Sequence, residues 1–286
     1  MKPFFETSHG ALFQADCLKV LSSMKSECVD TVFADPPFNI GKDYKNGFND
    51  RVSQSEYMEW SKEWIFECAR VLKPGGSFFL YATPELAVQF APMLGELLDF
   101  RHWIAVCMKA TFPRGRKLYP AHYALLYYTR GVPKTFNKLR LPVPTCRHCG
   151  GEVKDYGGHR NKLNPEGLNL SDFWDDTSPN RHKKFKVRPG VNELKLVIPE
   201  RAILISTEPG DIVFDPFGGG GSTYQAAELH HRNWIGTELH DSPHIKSRLT
   251  EVFPISARQK TRYDWGYLFN ENNSNQVLRR SKGEGL

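Results

Sequence analysis

The chain has 286 residues, 40% hydrophobic and 13% aromatic, with a formal net charge of +6. That composition supports one large packed domain, or one domain carrying an insert, and excludes a disordered polar chain. No run approaches the ~18 consecutive apolar residues of a membrane span, and Met-Lys-Pro-Phe-Phe-Glu lacks the apolar core and cleavage site of a secretory signal.

In chain order, residues 11–15 predict a short strand ending at Asp16, and a helix begins over residues 18–24. Asp30 to Ala34 reads as the next strand, and the polar, turn-rich residues 39–52 as a mobile loop. Residues 55–72 have the length of a good helix, capped by Ser53 or Ser55 and stopped by Lys73-Pro74-Gly75-Gly76. Residues 77–81 read as a buried strand, and 85–98 as a helix despite Pro92. Residues 102–109 and 122–129 predict two antiparallel strands joined by a basic connection. Regular structure then thins until Leu194. Residues 193–206 read as helical, with Pro199 opening a new helix. Pro209-Gly210 turns into a strand over 211–214; a helix over 223–229 and a strand over 233–238 follow, and 266–286 reads as a frayed tail.

Strands alternating with helices predict an α/β chain: a doubly wound, mostly parallel sheet covered on both faces. In such sheets ligands bind at the carboxyl ends of the strands. Asp16, Asp35, Asp215 and Glu238 all close strand-like runs, so one rim should gather them.

Two segments on that rim carry chemistry. The first is Asp35-Pro36-Pro37-Phe38. Each proline fixes φ near −65° and has no N–H to donate, so carbonyls there are left to accept. A carboxylate, a carbonyl and a ring at one point suit a planar base with an exocyclic NH₂, such as adenine or cytosine; a capped strand-to-loop turn is the plainer reading. The second is Asp215-Pro216-Phe217 followed by four glycines, Gly218 to Gly221, then Ser222 and Thr223. Glycines between a strand and a helix let a ligand approach the backbone, and the helix start presents unpaired N–H groups. The run lacks the spacing of a dinucleotide fingerprint and the Gly-Lys-Ser/Thr ending of a phosphate loop. Glu238 lies 19 residues beyond Gly219, close to the ~20 at which an acid meets a ribose hydroxyl in nucleotide-binding units. An adenosine-containing cofactor is the expectation.

Charge is gathered rather than spread. Residues 112–190 hold 16 Lys/Arg against 6 Asp/Glu, while the remainder holds 22 against 26. That pattern fits a phosphate-binding face, with a solvated basic loop as the plainer reading.

These residues resemble the DNA amino-methyltransferases. Asp35-Pro-Pro-Phe38 is similar to their catalytic motif, and Asp215-Pro-Phe217-x-Gly219-x-Gly221-x-Thr223 to their S-adenosylmethionine motif. Catalytic motif first and cofactor motif later is the order of the beta class, over roughly residues 10–250. The resemblance implies a Rossmann-like methyltransferase fold, seven-stranded with permuted order and an inserted target-recognition region. The expected parts are a catalytic half at 1–111 with the strand at 122–129, a basic insert at 112–190, and a cofactor half at 191–265. The implied function is sequence-specific methylation of double-stranded DNA at adenine N6, from Asp in the first motif position, after base flipping. Cytosine N4 is the alternative; RNA or protein methylation and a non-catalytic DNA-binding module are more distant ones.

By resemblance, Asp35, Pro36, Pro37 and Phe38 are catalytic. Asp16, Asp215, Phe217, Gly219, Gly221, Ser222, Thr223 and Glu238 bind S-adenosylmethionine. The family's Lys-Pro pair ahead of the cofactor motif is replaced by Glu193-Leu-Lys195-Leu. In the insert, Arg114, Arg116, Lys117, Arg181, Lys183 and Lys184 are the expected DNA contacts, and Phe173-Trp174 reads as a hydrophobic anchor. A homodimer and a cognate restriction endonuclease are further partners the resemblance allows; no membrane partner is expected.

The six cysteines, at 17, 28, 68, 107, 146 and 149, follow no framework spacing, which points to a reducing cytoplasmic setting, at the nucleoid for a DNA-binding protein. Cys146-Arg-His-Cys149 resembles half of a structural zinc site, and no second Cys-x-x-Cys completes it. Two free thiols are the other reading, and no catalytic metal is expected.

Overall fold

The computed structural model describes residues 2–40, 52–108, 115–116, 118–143, 145, 151, 157–158, 162–179, 193–240 and 242–250. In chain order the strands are β1 (Phe5–Glu6), β2 (Gly10–Gln14), β3 (Val29–Ala34), β4 (Leu72–Ala82), β5 (Asp99–Cys107), β6 (His122–Thr129), β7 (Arg140–Leu141), β8 (Leu168–Asn169), β9 (Phe173–Trp174), β10 (Ile212–Asp215) and β11 (Asn233–Glu238). The helices are α1 (Cys17–Ser23), α2 (Gln54–Val71), α3 (Pro84–Gly95), α4 (Val197–Ser206), α5 (Ser222–Leu229) and α6 (Pro243–Thr250).

The described residues fall into two compact units. One is built from Met1–Asn137 and Asp172–Glu251; the described part of the other lies within Lys138–Ser171. Of the segment read as an insert, residues 118–137 and 172–179 belong to the larger unit. The smaller unit pairs β7 with β8 antiparallel, with a Leu170 N–H donating to the Leu139 carbonyl.

The larger unit is one sheet in the order β1-β2-β11-β10-β3-β4-β6-β5-β9. From β2 to β4 all pairings are parallel, and β6 runs antiparallel between β4 and β5. That is the mostly parallel, permuted α/β sheet expected, its seven main strands extended at each edge by a two-residue strand. Strand β3 is buried at every position, as a central parallel strand must be. Its Val32 and Ala34 pack with Phe78, Leu80 and Phe214 under α2 and α3, where Trp64 and Phe90 are fully buried.

Local chemistry explains most boundaries. Ser53 caps α2 through a reciprocal capping box with Glu56, and Thr83 with Pro84 starts α3. Three expectations move. The strand read at 77–81 runs over all of β4, with Lys73 to Gly76 carried as an irregularity: Gly75 has φ +77°, and the register against β3 shifts between Val29 and Thr31. The strand read at 102–109 is β5, which starts three residues earlier and ends two earlier, and it pairs with β6 through a register shift between Phe100 and His102. The helix read over 193–206 forms only from Val197, with the Lys195 N–H outside it and bonded to the Pro179 carbonyl; Pro199, read as opening a new helix, sits in its first turn, where no N–H is required. Beyond residue 130, where regular structure was expected to thin, the short β7, β8 and β9 form. Of these, β9 carries the Phe173-Trp174 pair onto β5, with Trp174 buried beneath the Arg201 guanidinium 5.0 Å from its ring.

Candidate active site

The two motifs meet because β3 and β10 are neighbours. Val213 pairs with Thr31 and Phe214 with Val32, so the chain leaves both strands at the same rim, Asp35 directly after β3 and Asp215 closing β10. On the other side of β10, Asp215 is level with Gly236 of β11, and Glu238 of β11 is level with Gln14 of β2. The Ala15 N–H donates to the Glu238 carbonyl, 3.0 Å, which brings Asp16 to the same rim. The four acids therefore line up along one edge, as the strand endings predicted.

At the Asp-Pro-Pro corner, Asp35 is half-buried and Pro36 buried. The Tyr57 hydroxyl donates to the Pro37 carbonyl at 2.7 Å, tying the corner to α2. Phe38 joins two tyrosines from the neighbouring strands: its ring lies 6.3 Å from Tyr81 and 6.0 Å from Tyr123, which stack on each other at 5.1 Å. Burial pushes the Tyr81 phenol well above its ordinary value, and the Asp35 carboxylate and Tyr123 push it further, so it stays neutral beside that acid. Sequence reasoning missed all three tyrosines, because no local pattern marks a residue that meets the corner from another strand or helix.

At the glycine turn, the Asp215 carboxylate accepts the Phe217 N–H at 2.9 Å and a hydrogen bond from Thr223. Burial nonetheless pushes Asp215 up to about 8; the two hydrogen bonds oppose the shift, and the Asp35 and Glu238 carboxylates add to it. Gly219 has φ +48° and Gly221 φ +74°, values a side chain disfavours. Gly219 is exposed, and a Cβ there would meet only the Phe217 carbonyl, at 3.6 Å. Its N–H donates to Glu238 at 2.9 Å. Phe217 packs edge-on against Trp64 at 5.0 Å and lies 5.7 Å from Trp60. The backbone of the turn is thus open to a ligand on one side and held on the other. Asp16 caps α1, accepting the Leu18 N–H at 2.9 Å. Ser222, at the start of α5, donates to the Leu194 carbonyl at 2.8 Å.

Among the expected DNA contacts, Arg116 is exposed, after Gly115 at φ +59°. Arg114, Lys117, Arg181, Lys183 and Lys184 lie outside the described residues, as do Cys146, Cys149 and residues 41–51 of the loop after the catalytic motif. Among the described residues no group of three or more His, Cys, Asp or Glu is placed to hold a metal, and no helix is long and apolar enough to cross a membrane.

The sheet thus sets an Asp-Pro-Pro corner beside an open glycine turn at one rim, and comparison with known proteins says which family carries this arrangement. The DNA methylase family model matches residues 29–244. The chain is 46% identical to the type II methyltransferase M.BamHI of Bacillus amyloliquefaciens, an alignment covering 100% of this chain and 67% of that protein. It belongs to the DNA methylase family that modifies base amino groups at N6 or N4. Among solved structures it resembles the cytosine-N4-specific PvuII DNA methyltransferase, with TM-score 0.59, 19% identity, and 99% and 96% of the two chains covered. It also resembles M1.HpyAVI in complex with S-adenosylmethionine, with TM-score 0.56, 22% identity, and 84% and 98% covered. At those identities the two structures speak for the fold.

Proposed function

We propose that this chain is a type II modification enzyme that methylates the exocyclic amino group of a base swung out of duplex DNA, with adenine N6 as its target. The observation that carries this reading is the pairing of β3 with β10, which sets the Asp35 corner beside the Gly218–Gly221 turn. S-adenosylmethionine fits the turn: Glu238 suits a ribose diol, the open Gly219 backbone and Phe217 suit the methionine end, and Asp16 sits on the adenine side. Bound there, it supplies a methyl group activated by a sulfonium.

The chain's own residues do the rest. The amine nitrogen of a base is a poor nucleophile because its lone pair is delocalised into the ring. In our reading the Asp35 carboxylate and the Pro36 carbonyl accept its two N–H bonds, which favours a pyramidal nitrogen with a localised lone pair. Asp35 also receives the proton that becomes acidic as the new C–N bond forms. Phe38, backed by Tyr81 and Tyr123, stacks on the everted base, a contact of roughly 1–3 kcal/mol that offsets part of the unstacking cost. Positioning and electrostatics then carry the reaction. The basic residues 114–117 and 181–184 would hold phosphates. The functional partner would be a cognate restriction endonuclease in the same cytoplasm.

Cytosine N4 is the second reading, favoured by the PvuII enzyme sharing this sheet; its amine would meet the same two acceptors. Mass analysis of nucleosides from methylated plasmid separates them. N6-methyladenine is expected, and N4-methylcytosine alone would replace the base while keeping the mechanism.

A further inference from the structure

We infer that α6 and Glu193 brace the four-glycine turn, with Arg248 and His244 as positioning residues for the cofactor half of the site; this rests on the function proposed above. A run of glycines has no side chains to lock its backbone, so a turn that must present one surface to a ligand needs restraint from elsewhere. The restraint is visible at three points.

His244 places Nε2 2.8 Å from the Gly219 carbonyl oxygen. A carbonyl only accepts, so Nε2 carries the hydrogen in this contact. The Arg248 guanidinium is buried and donates to the Glu193 carboxylate, to Ser222 Oγ at 3.2 Å and to Gln225 Oε1 at 3.2 Å. Ser222 Oγ donates onward to the Leu194 carbonyl. One cation thus joins α6, the first turn of α5 and the chain at 193–194.

The turn lies directly against this group. A Cβ added at Gly220 would stand 3.2 Å from Glu193 Cγ and 3.4 Å from Arg248 Nη2, and one at Gly221 would stand 3.2 Å from Ile245. A buried ion pair is weak evidence of stability, since apolar replacements often do as well. The guanidinium does fix positions, since Nη2 holds Glu193 while Nη1 holds Ser222 and Gln225, and a flexible turn lacks such restraint by itself. The sequence marks neither His244 nor Arg248, because the partners lie far off in the chain; Glu193 and Arg248 are 55 positions apart.

The test compares Arg248→Met and His244→Ala with the parent protein, each checked for folding by its melting temperature. Backbone hydrogen exchange over Gly218–Thr223 is read in ligand-free protein, and affinities for S-adenosylmethionine and duplex DNA by calorimetry. Exchange is expected to speed up in both variants. The cofactor Kd should rise on the order of tenfold to a hundredfold for Arg248→Met, as misplaced contacts do, and about fivefold for His244→Ala, the loss of one hydrogen bond. DNA affinity should hold. Folded variants with parental exchange and parental cofactor Kd would overturn the brace; if Arg248→Met does not fold, His244→Ala decides alone. A parent that binds no S-adenosylmethionine would remove the proposed function, and the exchange rates would still decide the brace.

Discussion

Asp30 and Asp215 sit at opposite ends of neighbouring parallel strands; both are covered by the protein, Asp215 more deeply, and they have opposite surroundings. Burial alone would raise both carboxyls. At Asp30 the Ile212 N–H at 2.9 Å, Lys73 at 2.7 Å and the more distant Lys134 outweigh it, and the group is held below its ordinary value. At Asp215 burial wins over the hydrogen bonds from Thr223 and Phe217, two more carboxylates, Asp35 and Glu238, add to it, and the group rises to about 8. Depth and partners together separate an acid that fastens the sheet from one placed at the rim: Asp30 has donors enough to outweigh its desolvation, and the deeper Asp215 does not. The amino edge of the sheet is finished internally, while the carboxyl edge gathers negative charge that a cationic methyl donor would complement.

The sharpest way to break that contrast is at Asp35. Asp35→Ala should lower methyl transfer by on the order of 10²–10³, the scale of a lost transition-state contact, with DNA affinity retained in a binding titration. Equal loss of both would make Asp35 a structural residue. At the other edge, Asp30→Ala should cost stability and leave the rim intact. A decrease of about 1–3 kcal/mol in denaturant unfolding is expected, because the Lys73 and Ile212 donors lose their acceptor.

The same pair predicts opposite pH behaviour. Asp215 has a folded value raised above its ordinary 3.8, so its contribution is greatest below that value and is lost as pH rises towards about 8. Asp30 has a lowered value, so its contribution is present above 3.8 and is lost as pH falls through the folded value. Asp215→Asn should therefore flatten the fall in melting temperature between about pH 4 and 8 relative to the parent, and an unchanged slope would contradict the assignment. The smallest effect is expected at Tyr57→Phe, which removes the hydroxyl from the Pro37 carbonyl. Transfer should slow about fivefold, the worth of one hydrogen bond, with the fold unaffected.

Much of this was legible in the chain because it is local. The β3 and β6 strands, the Ser53 cap, the Asp-Pro-Pro corner and the glycine turn are each written in a few consecutive residues whose backbone preferences agree with the fold. The parallel alternation also gave the rim, since strand endings in such a sheet share an edge. What stayed hidden depends on residues far apart in the chain. Nothing near Asp30 announces Lys134, and nothing near Phe38 announces Tyr81 and Tyr123. Gly236 reads as an ordinary strand residue, although a Cβ there would stand 2.2 Å from the Tyr224 ring that supports the turn. Residues 193–196 stay outside α4 and are tied elsewhere, Lys195 to Pro179, by a contact that no helix periodicity reveals.

The central claim is that the corner after β3 holds a base amine against a methyl donor lodged at the turn after β10. The most direct test is base-resolution mapping of plasmid DNA incubated with the protein and S-adenosylmethionine. Methyl groups should appear only on exocyclic amines, at one short recurring sequence, and vanish with Asp35→Ala. Methylation at a ring carbon, or unmodified DNA from protein that binds both ligands, would contradict it.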